Sequence, residues 1–187
     1  MEEQIVKTLE YLSKGKTILY PTDTIWGIGC DATNSRAVEK IYRIKRRVEK
    51  KSLIILLDSA VNLKNFVDIV PGIAYDLIEN IETPLTIIFP VAKNLPKNVI
   101  ASDKTIAIRV IRDEFCRELI RRFGKPIVST SANISGEPNP ILFNRISQEI
   151  LDKVDYVVDL HRDRVSLNRP SRIIKLEIDG EFKVIRE

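Results

Sequence analysis

Histidine occurs once in the 187 residues, at His161, and cysteine twice, at Cys30 and Cys116. A single imidazole removes most histidine metal sites and argues against a Ser-His-Asp triad. Two thiols are too few for a disulfide framework or a zinc site, and buried free cysteines are the ordinary expectation for both. His161 sits in the polar stretch "DLHRDR" and reads as a solvated loop residue. Aromatic residues make up 6%, with no stacking motif of the kind single-strand RNA readers carry. The longest apolar run, Leu53 to Leu57, is far too short to span a bilayer. The opening "MEEQIVKTLEYLSKGK" is acidic and amphipathic and lacks the basic and apolar regions of a signal peptide, so a cytoplasmic protein with no membrane partner is expected. There is no G-x-x-x-x-G-K-[ST] phosphate loop. "GIGCDA", Gly27 to Ala32, formally fits a dinucleotide fingerprint. However, Pro21 to Trp26 separate the preceding strand from Gly27, and the next helix opens only near Asn34, so the mechanism behind that fingerprint is missing.

What is present is a packable chain, 44% apolar and 30% charged, of a length that suits one domain over residues 1–187. Ile5, Val6, Leu9 and Leu12 fall at helical spacing, and Gly15 can stop that helix. Thr17 to Tyr20 reads as a strand. Asn34 or Ser35 can cap a second helix whose inner face is Ala37, Val38, Ile41, Tyr42 and Ile44. "LIILL" suits a strand buried on both faces. Short helices follow Ser59 and Gly72. Leu85 to Phe89 and Thr105 to Ile111 are strands, and Asp113 opens a helix closed by Gly124. "PIVSTSA", "YVVDL", "RIIKLEI" and "FKVIR" complete the set. Helices and strands alternate and strands bunch at the end, which predicts an α/β fold with a mixed sheet. The polar stretch 161–170 reads as a mobile loop.

Three stretches carry candidate chemistry. "RIKRRVEKK", Arg43 to Lys51, is thick with lysine and arginine and suits the phosphates of a nucleotide or of RNA; a solvated helix C-terminus complementing its dipole is the competing reading. "STSANISG", Ser129 to Gly136, places three hydroxyls and an amide where an apolar strand ends. Alternation puts Ser129 and Ser131 on one side, with Asn133 next in phase. Ligands of open α/β sheets lie beyond the carboxyl ends of strands, and the pocket is expected there. Arg109 lies within the strand "IAIRV". It is either an exposed-face arginine or a buried fork for a carboxylate or phosphate, since an unpaired charge in a half-buried strand is costly.

"YPTDTIWGIGCDA", "IYRIKRR" with its Lys-x-Arg, "TIAIRV", "STSANISGEP" and "RPSRII" resemble, in order and over roughly residues 5–186, the YrdC-like family of L-threonylcarbamoyladenylate synthases. The resemblance implies a twisted mixed sheet with flanking helices around a positively charged concave groove. It implies an enzyme of nucleotidyltransferase type that makes threonylcarbamoyl-AMP and pyrophosphate from L-threonine, bicarbonate or CO₂, and ATP. The product would feed threonylcarbamoyladenosine modification of tRNA through downstream transfer proteins. Carried over residue by residue, Lys45, Arg47 and Lys51 would hold phosphates, with Lys45 and Arg47 as the catalytic pair. Ser131, Asn133, Asn139, Thr105 and Arg186 would line the nucleotide side. Thr24, Arg109, Ser129 and Ser171 would hold threonine, with Gly27 and Gly29 letting the backbone approach. Mg²⁺ would ride on ATP phosphates and water, with no protein metal site. This chain departs from the family pattern at Arg46, Val48, Ser52, Leu56 and Arg172. Two other readings stand beside the enzyme: a double-stranded RNA or tRNA-binding or maturation factor, and a YciO-like relative of other activity.

Overall fold

The computed structural model describes residues 1–47, 53–163 and 170–187. The first helix, α1 (Glu2–Ser13), carries Glu2 and Glu3 in its first turn, where carboxylates complement the positive end of the helix dipole. It stops at Lys14 and Gly15, whose φ of 67° only glycine adopts freely. Its buried face is Ile5, Thr8 and Leu12; Val6, expected inside, is exposed. α2 (Ser35–Lys45) begins where Asn34 Oδ1 accepts the amides of Arg36 and Ala37, and ends at Arg46 in the left-handed region, φ 50°. α3 (Ile73–Asn80) follows a short 3₁₀ turn over Ala60–Asn65. α4 (Glu114–Phe123) is capped by Asp113, which accepts from the Cys116 amide, and closed by Gly124 at φ 69°. α5 (Gln148–Lys153) is short.

The strands are β1 (Ile18–Tyr20), β2 (Gly27–Gly29), β3 (Ile54–Leu57), β4 (Leu85–Phe89), β5 (Ile106–Val110), β6 (Ile127–Ser131), β7 (Tyr156–Val157), β8 (Arg172–Leu176) and β9 (Phe182–Arg186). They form one sheet in the order β7-β1-β2-β6-β3-β5-β4-β8-β9. Parallel pairs (β1 with β7, β3 with β5, β4 with β8) are mixed with antiparallel ones.

β2 was not expected from the sequence, because glycine is depleted in strands. Here glycine is required: a Cβ on Gly29 would stand 2.5 Å from the Val128 carbonyl oxygen and 2.7 Å from the Tyr20 ring. Gly29 thus serves packing between β1 and β6, not access to a ligand. α5 was also missed, since its six residues hold one buried apolar side chain, Ile150, too few to show a period.

Alternation along the strands divides the apolar residues between two cores. On one face, Leu19, Ile28, Ile55, Leu57, Ile87, Ile108, Val128 and Ile174 pack with Val38, Ile41 and Tyr42 of α2 and Ala74 of α3. On the other, Ile18, Tyr20, Leu56 and Ile127 meet Ile5 and Leu12 of α1 and Phe115, Leu119 and Ile120 of α4. β3 feeds both, as its uninterrupted apolar run requires. The second core covers only part of its face. Strands β3, β5, β4 and β8 continue past it, and there the sheet floors a hollow. Both cysteines are buried and His161 is exposed. Among the described residues no helix is long and apolar enough to cross a membrane.

Candidate active site

The hollow encloses about 270 Å³, and its floor is the sheet face itself. Register explains which side chains meet there. Gly27 pairs with Ser131, Ile54 with both Ser129 and Ala107, and Ala107 with Ile88, while Thr86 pairs with Ile173 and Ile173 with Arg186. Paired residues share a face, so these side chains line a single surface. The site therefore lies on an uncovered sheet face, not beyond the carboxyl ends of strands. Under the hollow, antiparallel pairs (β6 with β3, β5 with β4) alternate with parallel ones (β3 with β5, β4 with β8), so the strands share no common carboxyl edge for a ligand to occupy.

One wall is the link between β1 and β2. Pro21 ends the first strand, and Thr22, Asp23 and Thr24 follow. The Thr22 hydroxyl accepts from the Thr24 amide at 3.1 Å, donates to the Ile25 carbonyl at 2.7 Å and lies 3.0 Å from the Thr24 hydroxyl. Arg109 reaches this wall from β5. Its Nη1 donates to Thr24 Oγ1 at 3.1 Å, and its Nη2 stands 3.4 Å from Asp23 Oδ1. That second contact is a charge pairing only, because Asp23 Oδ1 accepts no hydrogen bond and Arg109 Nε donates none. Burial pushes the Asp23 carboxyl above its usual range, and the Arg109 charge opposes that shift. Arg109 is 4% exposed, so the exposed-face reading fails. The guanidinium is held with unspent donors beside the cavity, as a carboxylate or phosphate fork must be.

The opposite wall comes from Ser171 and Arg186. The hydroxyl of Ser171 lies 2.7 Å from that of Thr86, and its carbonyl accepts from Arg186 Nε and Nη2 at 3.1 and 2.7 Å. Burial and the nearby Arg109 charge lower the Arg186 pKa. Ser129, Thr130 and Ser131 of β6 form the third side, and Asn139 contributes at the rim.

Lys45 and Arg47 separate in role. The Lys45 ammonium is 2% exposed. It donates to the carbonyls of Ser131 at 2.6 Å and Asn133 at 2.7 Å, and to Asn133 Oδ1 at 3.2 Å. Burial, then the Arg47 charge, lowers its pKa to about 8. Asn133 is spent on the same turn: its Oδ1 also accepts from Ser131 Oγ, and its Nδ2 donates to the carbonyls of Ile134 and Glu137. Lys45 and Asn133 thus shape the turn behind the cavity and are not among its lining residues, whereas Arg47 lines it with Nη1 3.4 Å from the Thr130 hydroxyl. Thr105 is not brought to the cavity. Its hydroxyl donates to Asp103 at 2.7 Å and closes a local turn. Lys51 lies outside the described residues. Elsewhere in the basic stretch, Arg43 pairs with Glu39 and Arg46 with Glu149.

Thr24, Arg109, Ser129, Ser131, Asn139, Ser171, Arg186 and Arg47 therefore meet in one hollow. The sequence reading counted Thr130 among the hydroxyls of its stretch without giving it a role, and it did not anticipate Thr86, buried behind Ser171, or the apolar floor of Ile54, Ile88, Ala107 and Ile173. For Thr86 a signal existed: a hydroxyl in the middle of the otherwise apolar strand "LTIIF". The lining holds three arginines and no carboxylate, and no group of three or more His, Cys, Asp or Glu among the described residues could hold a metal ion. Such a surface attracts anions.

Comparison with known proteins places the chain in a family. The family model Sua5_yciO_yrdC, described as telomere recombination, matches residues 10–187. A threonylcarbamoyl-AMP synthase of Pseudoalteromonas translucida is 35% identical over 161 residues, which are 84% of this chain and 86% of that protein. A putative threonylcarbamoyl-AMP synthase of Methanocaldococcus jannaschii is 38% identical over 191 aligned residues, covering 100% of this chain and 88% of the relative. The crystal structure of P. abyssi Sua5 complexed with L-threonine superposes with a TM-score of 0.83 at 27% identity. That match covers 94% of this chain and 52% of the other, so the chain spans about half the length of that protein.

Proposed function

The chain belongs to the Sua5/YciO/YrdC family, and from that membership we propose that it is a threonylcarbamoyl-AMP synthase acting on L-threonine and ATP. The observation that carries the reading is the single hollow in which a buried arginine fork, a ring of hydroxyls and two further arginines converge, with Asp23 behind Arg109 and no carboxylate among the lining residues. The named activity of the relatives and the threonine bound by a structural neighbour point the same way.

In this reading the reaction is adenylyl transfer. The threonine amine takes up CO₂, or bicarbonate with loss of water, to give a carbamate. A carbamate oxygen attacks the α-phosphorus of ATP, that P–O bond forms as the bond to pyrophosphate breaks, and threonylcarbamoyl-AMP remains. No protein nucleophile is needed; the work is alignment and charge neutralisation. We assign the threonine carboxylate to Arg109, with Thr24, Ser129 and Ser171 around it. Arg47, Ser131, Asn139 and Arg186 face the nucleotide. Lys45 and Asn133 act from behind by fixing the turn on which Ser131 sits. Mg²⁺ enters with ATP, held by phosphate oxygens and water. The product, a mixed anhydride, is passed to tRNA-modifying transfer proteins in the cytoplasm.

An RNA-binding role without catalysis has weaker support. In the basic stretch, Arg43 and Arg46 already have carboxylate partners and Lys45 is buried. The test is pyrophosphate release from ATP, Mg²⁺, bicarbonate and protein. Release that depends on threonine is expected. Its absence with folded protein overturns the assignment.

A further inference from the structure

Ser171 is the least self-evident member of the site. It precedes β8, follows a segment outside the described residues, and is only 2% exposed although it lines the hollow. Its side chain needs something to aim it. That something is Thr86, in the centre of β4, 0% exposed, with a hydroxyl 2.7 Å from the Ser171 hydroxyl. β4 is otherwise Leu85, Ile87, Ile88 and Phe89, and a buried hydroxyl in such a strand must find a partner or cost free energy. Among the described residues, no other hydrogen bond of the Thr86 side chain competes with the one to Ser171.

We propose that Thr86 is a positioning residue for the substrate carboxylate, acting through Ser171. Each of the two hydroxyls carries one proton. A carboxylate in the hollow accepts only, so when Ser171 donates to it, Ser171 Oγ is left to accept from Thr86. The direction of the shared bond is then fixed as Thr86 to Ser171 to ligand. Thr86 removes the rotamers in which Ser171 points its proton away from the cavity, and it polarises the bond that remains. This inference rests on the assignment of Ser171 to threonine.

Thr86→Val keeps the shape and removes the hydroxyl, and a buried valine in a strand poses no folding problem. The KM for threonine is expected to rise about fivefold, the scale of one oriented hydrogen bond, with kcat and the KM for ATP unchanged. Threonine affinity by calorimetry should fall by the same factor. Thr86→Ser should restore both. In a Ser171→Ala background the Thr86→Val substitution should have no further effect on threonine, which a merely structural residue would not obey. Equal losses toward threonine and ATP, or an undiminished effect of Thr86→Val in the Ser171→Ala background, overturns the proposal. A raised threonine KM in Ser171→Ala beside a normal one in Thr86→Val overturns it while leaving the site assignment standing. A normal threonine KM in Ser171→Ala overturns both.

Discussion

The two ends of the hollow are built differently. The end assigned to threonine stands on strands: Arg109 in β5, Ser129 in β6, and Ser171 at the start of β8 are all buried, and Thr24 is fixed by Thr22 and Arg109. The end assigned to the nucleotide uses the ends of elements and a loop: Arg47 just past α2, Ser131 as the last residue of β6, Asn139 in a loop, Arg186 at the close of an exposed edge strand. A small ligand recognised by shape is met by side chains already held by one another. On the proposed assignment, a large, highly charged ligand is met by arginines at the margins of the sheet, of which Arg186 is held by the Ser171 carbonyl. Rigid placement is the costlier arrangement, because it requires buried polar groups to satisfy each other before the ligand arrives.

That contrast is open to attack at several points. The largest effect is expected from Lys45→Ala combined with Arg47→Ala: a fall in kcat/KM of well over ~10²-fold, given what single charge-stabilising donors contribute, measured by pyrophosphate release. Near-normal turnover would put the phosphates elsewhere. Arg109→Met should come next. It leaves the half-buried Asp23 carboxylate without its counter-charge, so threonine use should be lost together with some stability, read by denaturant unfolding. Because only the charge contact links them, adding Asp23→Asn should recover stability and not activity.

Thr24→Val should raise the threonine KM roughly fivefold with little change for ATP, on the scale of one hydrogen bond. Equal losses for both substrates would erase the distinction between the ends. The smallest effect belongs to pH. The folded-state pKa of Lys45 is lowered to about 8 from its ordinary 10.5, so between those values the folded chain binds less proton than the unfolded one. Stability from this group therefore rises with pH across that window. The site moves the opposite way: above pH 8 the neutral amine has two protons for three acceptors, the turn under Ser131 loosens, and the KM for ATP should climb. Titrating stability and ATP KM in parallel, wild type against Lys45→Met, checks both signs.

Most of the fold was legible because its signals are local and strong. The Asn34 and Asp113 caps, the Gly15 and Gly124 stops and the apolar run at β3 each state their role within a few residues. The site was legible in membership and less so in placement. Hydroxyls at the end of β6 announced a ligand, yet nothing in "SAN" says that Asn133 and Lys45 consume one another behind the wall. Thr105 looked like its neighbours in sequence and is claimed by Asp103, two residues away. β2 stayed hidden because the need for Gly29 comes from Val128 and Tyr20, which are remote in the chain. Pairings set by register across the sheet are the information a single sequence does not display.

The second core stops short, and that has a thermodynamic meaning. Helices α1 and α4 seal part of one sheet face, and the remaining part is the hollow. Whatever binds there completes a layer the polypeptide leaves unfinished. Occupancy and folding thus draw on the same interactions, and substrate acts as a removable piece of the protein's own architecture.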